Sequence, residues 1–297
     1  MRDLLRSLMP AGVLELYRKY KKQRTRTALL NKARSGQIIT VSTLIDQLKS
    51  AGLRTGDSLL VHCSMSRLGY LADGPKTLID AILEVIGPDG NLLMPSSPNP
   101  ALQLDYIRSH PHFDVRLDPS AMGAVTEYFR LMPGVERSLS PTEPVCAFGP
   151  LAQWLTEGHL GRLTPYDKYS PFYRLTEVNG KILYAGVTLA QAGTSLHLLE
   201  DAVEDFPYPV YFPDTFTVKI TDKNGVRYTQ PVKVHNPAQS ARRQCDALIP
   251  MFISSGAMHK VQIGEGTGLM TDAARMFEVM LEQYKQKGIT MYTPYGK

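Results

Sequence analysis

Gly56-Asp-Ser-Leu-Leu-Val-His-Cys-Ser-Met-Ser-Arg-Leu-Gly69 is the stretch on which the reading of the fold turns. Gly56-Asp57 is a turn signal, and Ser58 to His62 is a short, largely apolar run of strand length. Gly74-Pro75 opens a helix to about Ile86, with Leu78, Ile79, Ile82 and Val85 on its apolar face. Proline is tolerated in a first helical turn, where its missing N–H would have no partner anyway. Gly87-Pro-Asp-Gly90 makes the next turn, and Asn91-Leu-Leu-Met94 the next strand. Strand, helix and strand in that order predict a parallel, right-handed crossover unit.

Working outward, the pattern predicts helices from Thr43 through Leu48, from Met122 to about Arg130 and from about Thr271 to Lys287. Val145 to Phe148 and Lys181 to Val187 read as buried strands. Phe216 to Ile220 and Arg227 to Val234 face each other across Lys223-Asn-Gly225, and Asn-Gly favours the tight turn of an antiparallel hairpin. Residues 97–120 are polar and proline-containing and read as a loop excursion suited to binding, and Gly264-Glu-Gly-Thr-Gly268 also reads as a loop. The expected class is α/β, a mixed central sheet flanked by helices with an antiparallel hairpin addition.

Of the 297 residues, 43% are hydrophobic, enough for a sizeable core, and no apolar run reaches the length of a bilayer span. The start has no signal-peptide pattern, and Cys63, Cys146 and Cys245 are too scattered for a disulfide framework, so a cytoplasmic setting is expected. The net charge of +5 is unevenly placed. Residues 1–34 hold ten Lys/Arg against two Asp/Glu, leaving 23 basic and 26 acidic residues in the remaining 263. A body of slightly acidic balance argues against a nucleic-acid partner, whose groove needs cations. Residues 1–36 are therefore read as a basic extension and 37–297 as the domain. Leu5, Leu8, Met9, Val13, Leu16, Tyr17 and Tyr20 recur at helical spacing, and a basic cluster follows from Arg18 to Arg26. Two readings stay open: peripheral contact with an anionic membrane surface, or packing on the domain or on a second copy in a homodimer.

Thr194-Ser-Leu-His-Leu-Leu-Glu200 follows a strand and enters a helix, which is where α/β proteins commonly place chemistry. His197 and Glu200 are three apart and share a helical face. The spacing leaves a general base and a satisfied, partly buried histidine both open. The loop at Ser64, Ser66, Arg67 and Gly69 suits a phosphorylated ligand through backbone N–H groups and a guanidinium, but it has neither a Walker spacing nor a dinucleotide fingerprint. His110-Pro-His112-Phe-Asp114 has three metal-ligand types, but no further Cys/His cluster completes a site. Cys63 and Cys146 lie in or beside apolar strands, where inert thiols are usual. Asp201, Glu204 and Asp205 suit either a cationic acceptor or a solvated helix end.

Several separated motifs together resemble the aminoglycoside 3-N-acetyltransferase family. They are Val61 to Gly69, Gly74 to Leu83, Gly87 to Gly90 and Leu93-Met-Pro95, then Met122-Gly123, Pro133-Gly134 with Arg137-Ser138, and Ala147 to Pro150. Ser170-Pro171, Gly186, Thr194 to His197 with Glu200, and Val261 to Gly264 follow in the same order. The similarity spans roughly residues 40–285. It implies acetyl-CoA as co-substrate and no metal, with Ser64, Ser66, Arg67 and Gly69 on the cofactor, joined by Gly74 and Thr77 at the start of the next helix. It also implies that His197 is the general base, in a motif with Thr194. An imidazole with an unperturbed pKa of about 6.5 can deprotonate an amine, typically worth ~10²–10⁴-fold. Ser64 or Thr194 and nearby backbone are candidate donors to the developing oxyanion.

The chain departs from the family pattern twice. Arg137-Ser-Leu-Ser-Pro141 has Ser140 where members commonly have histidine. Gln230 to Asn236 lacks the acid that orients the base in relatives, leaving Glu200 or His235 for that task. The expected function is an acetyl-CoA-dependent N-acetyltransferase acting on an amino sugar. The mildly acidic body and basic extension favour a nucleotide- or lipid-linked sugar of surface-glycan assembly as acceptor. The alternatives are an aminoglycoside antibiotic, or a non-catalytic coenzyme A or sugar binder.

Overall fold

The computed structural model describes residues 11–99 and 102–296. The strands are β1 (Ser58–Cys63), β2 (Asn91–Pro95), β3 (His112–Asp114), β4 (Glu136–Arg137), β5 (Val145–Phe148), β6 (Lys181–Ala185), β7 (Phe216–Thr221), β8 (Arg227–Val232), β9 (Met258–Ile263) and β10 (Gly266–Asp272). A seven-stranded sheet runs β4-β5-β2-β1-β6-β10-β9, and a three-stranded sheet runs β3-β7-β8. β2, β1 and β6 are parallel at the centre of the larger sheet, while β5 and β10 add antiparallel strands on either side. The helix Pro75–Ile86 makes the expected crossover between β1 and β2.

The period-2 alternation of the strands builds a core on each face. Leu59 and Val61 of β1, Leu92 and Met94 of β2, and Leu183 of β6 pack with Leu78, Ile79 and Ile82 of the crossover helix. Leu60, Leu93, Ile182 and Tyr184 point the other way, toward Phe172, Met276 and Val279. Central strands covered on both faces are apolar without interruption, which explains why β1 and β2 were legible as continuous runs. Each such side chain contributes roughly 1.5–3 kcal/mol on burial. A smaller core of Phe113, Val218, Ile220 and Val232 lies beneath the hairpin sheet.

Several expectations are corrected. The excursion read as a loop holds the helix Gln103–Ser109 and β3, and β3 pairs in parallel with β7. Its helix is too short and mixed in composition for a clear 3.6-residue period. Gly266 to Gly268 belong to β10, in an antiparallel hairpin with β9, rather than to a loop. Thr271 and Asp272 end that strand, so the closing helix begins at Ala273, with the Asp272 side chain accepting the Arg275 N–H as its cap. His112 meets Thr221 at 2.8 Å, while His110 stacks on Tyr106 and Asp114 accepts the N–H groups of Arg116 and Leu117. Those three residues serve local structure and do not converge as metal ligands. Leu5, Leu8 and Met9 lie outside the described residues. The helix Ala11–Arg34 leaves Leu16 and Tyr20 exposed, and no helix among the described residues is long and apolar enough to cross a membrane.

The β9–β10 turn presses on the loop after β1. Gly264 has φ +60°, and a Cβ there would lie 2.1 Å from the Leu68 carbonyl oxygen. Gln47 holds the same residue from the other side, with its Oε1 accepting the Gly264 N–H at 2.5 Å and its Nε2 donating to the Gly264 carbonyl at 3.1 Å. Gly264→Ala is therefore expected to displace the Leu68–Gly69 backbone and destabilise the chain by about 1–3 kcal/mol. Urea denaturation of the variant measures this, and a midpoint equal to wild type would show that the backbone yields without cost.

Candidate active site

Pairing of β1 with β6 aligns Cys63 with Ala185, so both chains leave the sheet at the same edge. The Ser64 N–H donates to the Ala185 carbonyl at 2.9 Å, and Arg67 Nη1 donates to the Gly186 carbonyl at 3.0 Å. The Glu265 N–H donates to the Leu68 carbonyl at 2.8 Å. Two separate segments, the chain leaving β6 and the β9–β10 turn, thus pin the loop. It forms one wall of a cleft of about 1120 Å³, lined on that side by Met65, Ser66, Gly69 and Gly74 and on the other by the helix Ala11–Arg34. Of the six residues expected on the cofactor, Ser66, Gly69 and Gly74 line this cleft. Ser64 and Arg67 bond to the chain leaving β6, and Thr77 is fully buried, its Oγ1 accepting the Asp73 N–H.

Beyond β6, Thr194–His197 forms a single 3₁₀ turn that feeds the helix Leu198–Ala202. The Thr194 hydroxyl lies 3.3 Å from His62 Nε2, and the His62 ring stacks on Tyr184 across the β1–β6 pair. His197 and Glu200 are both buried, with His197 Nδ1 at 2.8 Å from Glu200 Oε2. The Tyr292 hydroxyl donates to the other oxygen, Oε1, at 2.6 Å. His235 Nε2 lies 3.4 Å from Glu200 Oε2, and Tyr166 stacks against both imidazoles.

These contacts set the protonation states. Burial would raise the Glu200 carboxyl, but the charge and hydrogen bonding of His197 and then His235 outweigh it and hold the group well below its usual range. Burial lowers His197, with Glu200 partly opposing. We therefore assign a neutral imidazole beside an ionised carboxylate. A carboxylate only accepts, so His197 carries its proton on Nδ1 and keeps a free lone pair on Nε2. The ligating atoms of His197, Glu200 and His235 lie within 4.8 Å of one another. Both Glu200 oxygens are already engaged by donors, so the trio is a closed hydrogen-bonded cluster rather than an open ligand set.

Several participants carried no sequence signal. Tyr292 lies past the closing helix and reaches Glu200 across 92 positions. The Gln103 side chain accepts the His235 N–H at 2.9 Å and donates to Glu143 at 2.5 Å, which ties the excursion to the site. Asp201 turns inward and accepts the Tyr211 hydroxyl at 2.6 Å, while Glu204 and Asp205 stay exposed. Ser140, where a histidine was expected from the pattern, is buried, and its hydroxyl accepts the Glu143 N–H. Ser138 instead meets a histidine from another element, with its Oγ 2.7 Å from His159 Nδ1. Burial raises Cys63 to about 12 and Cys146 to about 11, so neither is a ready thiolate.

A buried His197–Glu200 pair on the turn after β6 and a large cleft walled by the loop after β1 both lie at the carboxyl edge of parallel strands, where α/β enzymes commonly place their sites. The chain belongs to the aminoglycoside 3-N-acetyltransferase family, whose profile matches residues 60–285. It is 31% identical over 214 residues to aminoglycoside N(3)-acetyltransferase VIII of Streptomyces fradiae, covering 68% of this chain and 69% of that one. To aminoglycoside N(3)-acetyltransferase III of Pseudomonas aeruginosa it is 30% identical over 210 residues, covering 65% and 69%. The structure of AAC-IIIb in a binary complex with CoASH superposes with a TM-score of 0.69 at 26% identity, covering 84% of this chain and 97% of that one. AAC-VIa bound to sisomicin gives a TM-score of 0.69 at 28% identity, covering 83% and 97%. The protein is thus an acetyl-CoA-dependent N-acetyltransferase.

Two outcomes test the site. Glu200→Gln removes the carboxylate that selects the Nδ1–H tautomer, and turnover is expected to fall by about 10²–10⁴-fold with little change in coenzyme A affinity, as loss of a base-orienting acid does elsewhere. A rate within a few-fold of wild type would exclude Glu200 as the orienting group. The second outcome concerns acid stability. Burial lowers His62 to about 3 and His159 and His235 to about 4, while in the unfolded chain each binds a proton near pH 6.5. The unfolded state therefore takes up more protons as pH falls below about 6.5, and stability declines from there toward pH 4, by about 1.4 kcal/mol per pH unit for each histidine. Denaturation midpoints at pH 7 and pH 5 measure the slope, which His159→Gln should reduce by one histidine's share.

Proposed function

We propose that the acceptor is an amino group of an aminoglycoside and that His197 Nε2 is the base that deprotonates it. The observation that carries the reading is the Glu200–His197 hydrogen bond, which leaves the imidazole neutral with its second nitrogen unprotonated. Acetyl-CoA, when bound, supplies the activated acetyl group. The Met65–Gly74 wall receives the cofactor, and Thr194 and His62 join that loop to the turn bearing His197. Two carboxylates, Glu200 and Asp201, lie on the same short helix, both turned inward onto protein donors. The named relatives act on aminoglycosides, and this supports that acceptor over the surface-glycan sugar expected from charge balance. Charge balance alone, a mildly acidic body beside a basic extension, does not separate the two acceptors.

The test is thiol release from acetyl-CoA with sisomicin as acceptor. Wild type should turn over, and His197→Ala should lose about 10²–10⁴-fold in kcat while retaining coenzyme A affinity. With burial lowering His197, the acid limb of the kcat profile should lie below the ordinary imidazole value of about 6.5, activity falling as the base is protonated. Coenzyme A binding without turnover on sisomicin, together with turnover on a nucleotide-linked amino sugar, would restore the glycan reading. Turnover on neither would leave a binding protein.

A further inference from the structure

The helix Ala11–Arg34 lies outside the residues that match the family, yet it forms the second wall of the 1120 Å³ cleft. Positions 17, 21, 25 and 29 form one row of i, i+4 neighbours on it, and 22, 26 and 30 form the adjacent row, so a single face supplies that wall. The face carries Lys21, Lys22 and Arg26, and the cleft lining includes no carboxylate. All three cations are exposed, and among the described residues none is paired with an acid. Lys22 and Arg26 are like charges at i, i+4, an arrangement that weakens a helix unless an anion joins them. The helix is anchored further along by the Lys32–Glu265 ion pair, and Glu265 also holds the Leu68 carbonyl through its N–H. One residue therefore sets the helix and the cofactor loop relative to each other.

Coenzyme A is the polyanion that the reaction requires, with a diphosphate and a 3′-phosphate at the end remote from its sulfur. We propose that Lys21, Lys22 and Arg26 bind these phosphates, making the N-terminal helix the outer wall of the cofactor site. The inference rests on the acetyltransferase reading above. Lipid headgroups present the same phosphate chemistry. The cofactor is favoured because the three cations share one open cleft of about 1120 Å³ with Met65, Ser66, Gly69 and Gly74 of the loop after β1, large enough for a ligand of that size.

Calorimetric titration of the full chain with coenzyme A and with pantetheine, which lacks all phosphates, tests the assignment. A triple variant, Lys21→Gln with Lys22→Gln and Arg26→Gln, should bind coenzyme A about tenfold more weakly and with less salt dependence, pantetheine binding staying unchanged. The charge-conserving set Lys21→Arg, Lys22→Arg and Arg26→Lys should keep wild-type affinity. Unchanged coenzyme A affinity in the glutamine variant overturns the proposal, and so does an equal loss for pantetheine. Loss of binding to phosphatidylcholine–phosphatidylglycerol vesicles with coenzyme A affinity intact assigns the cations to a lipid surface and also overturns it. A wild-type chain that binds no coenzyme A would bring down the acetyltransferase reading itself.

Discussion

Parallel pairing of β1 with β6 is the constraint from which the site follows. Its register runs from Leu59 against Lys181 to Cys63 against Ala185, joining segments more than a hundred residues apart. Because both strands end together, the loop after β1 and the turn after β6 emerge side by side. Ser64 and Arg67 then bond to Ala185 and Gly186, and Thr194 reaches His62. A shift of one residue in this register would exchange the faces of every side chain on β6, moving Ile182 and Tyr184 into the opposite core. Burial on both faces makes such a slip prohibitively costly, so the geometry of the site inherits the rigidity of the sheet.

The chemistry depends on polar groups that the core tolerates because they are paired. Glu200 is buried and ionised, a state that needs donors, and His197 and Tyr292 supply them. The same bonds that make the charge bearable decide which imidazole nitrogen is basic. His235 adds a second ring to the cluster, held in place by Gln103 from the excursion. A single carboxylate thereby couples the short helix after β6, the turn before the carboxyl terminus and the edge of the small sheet. Removal of one member leaves the others unpaired in a poorly solvated place, so their effects should be strongly non-additive.

The two departures from the family pattern have physical counterparts. Ser140 accepts a backbone N–H inside its own turn, and the neighbouring Ser138 is met by His159 from another element. Residues 230–236 hold no acid, and the carboxylate that His197 meets is Glu200, one helical turn after it. The basic extension, read from the sequence as either a membrane-surface or a packing element, turns a cationic face toward the loop after β1 while leaving Leu16 and Tyr20 on the outside.

Sequence alone determined the crossover unit at Ser58 to Met94, the Asn-Gly hairpin, most of the closing helix and the placing of His197 and Glu200 on one helical face. Each is encoded by near neighbours: apolar period, turn residues, or spacing along one helical face. The short helix Gln103–Ser109, β3 and the β9–β10 hairpin were illegible because their composition is mixed and their partners are distant in the chain. Tyr292 and the cationic wall of the cleft belong to the same class, while the sequence names His235 only as one of two candidates to orient His197. Only the tertiary structure could bring Tyr292 to Glu200 or set Lys21 and Ser66 around one cleft, since such placements arise from sheet register and layer packing, which no local pattern of residues records.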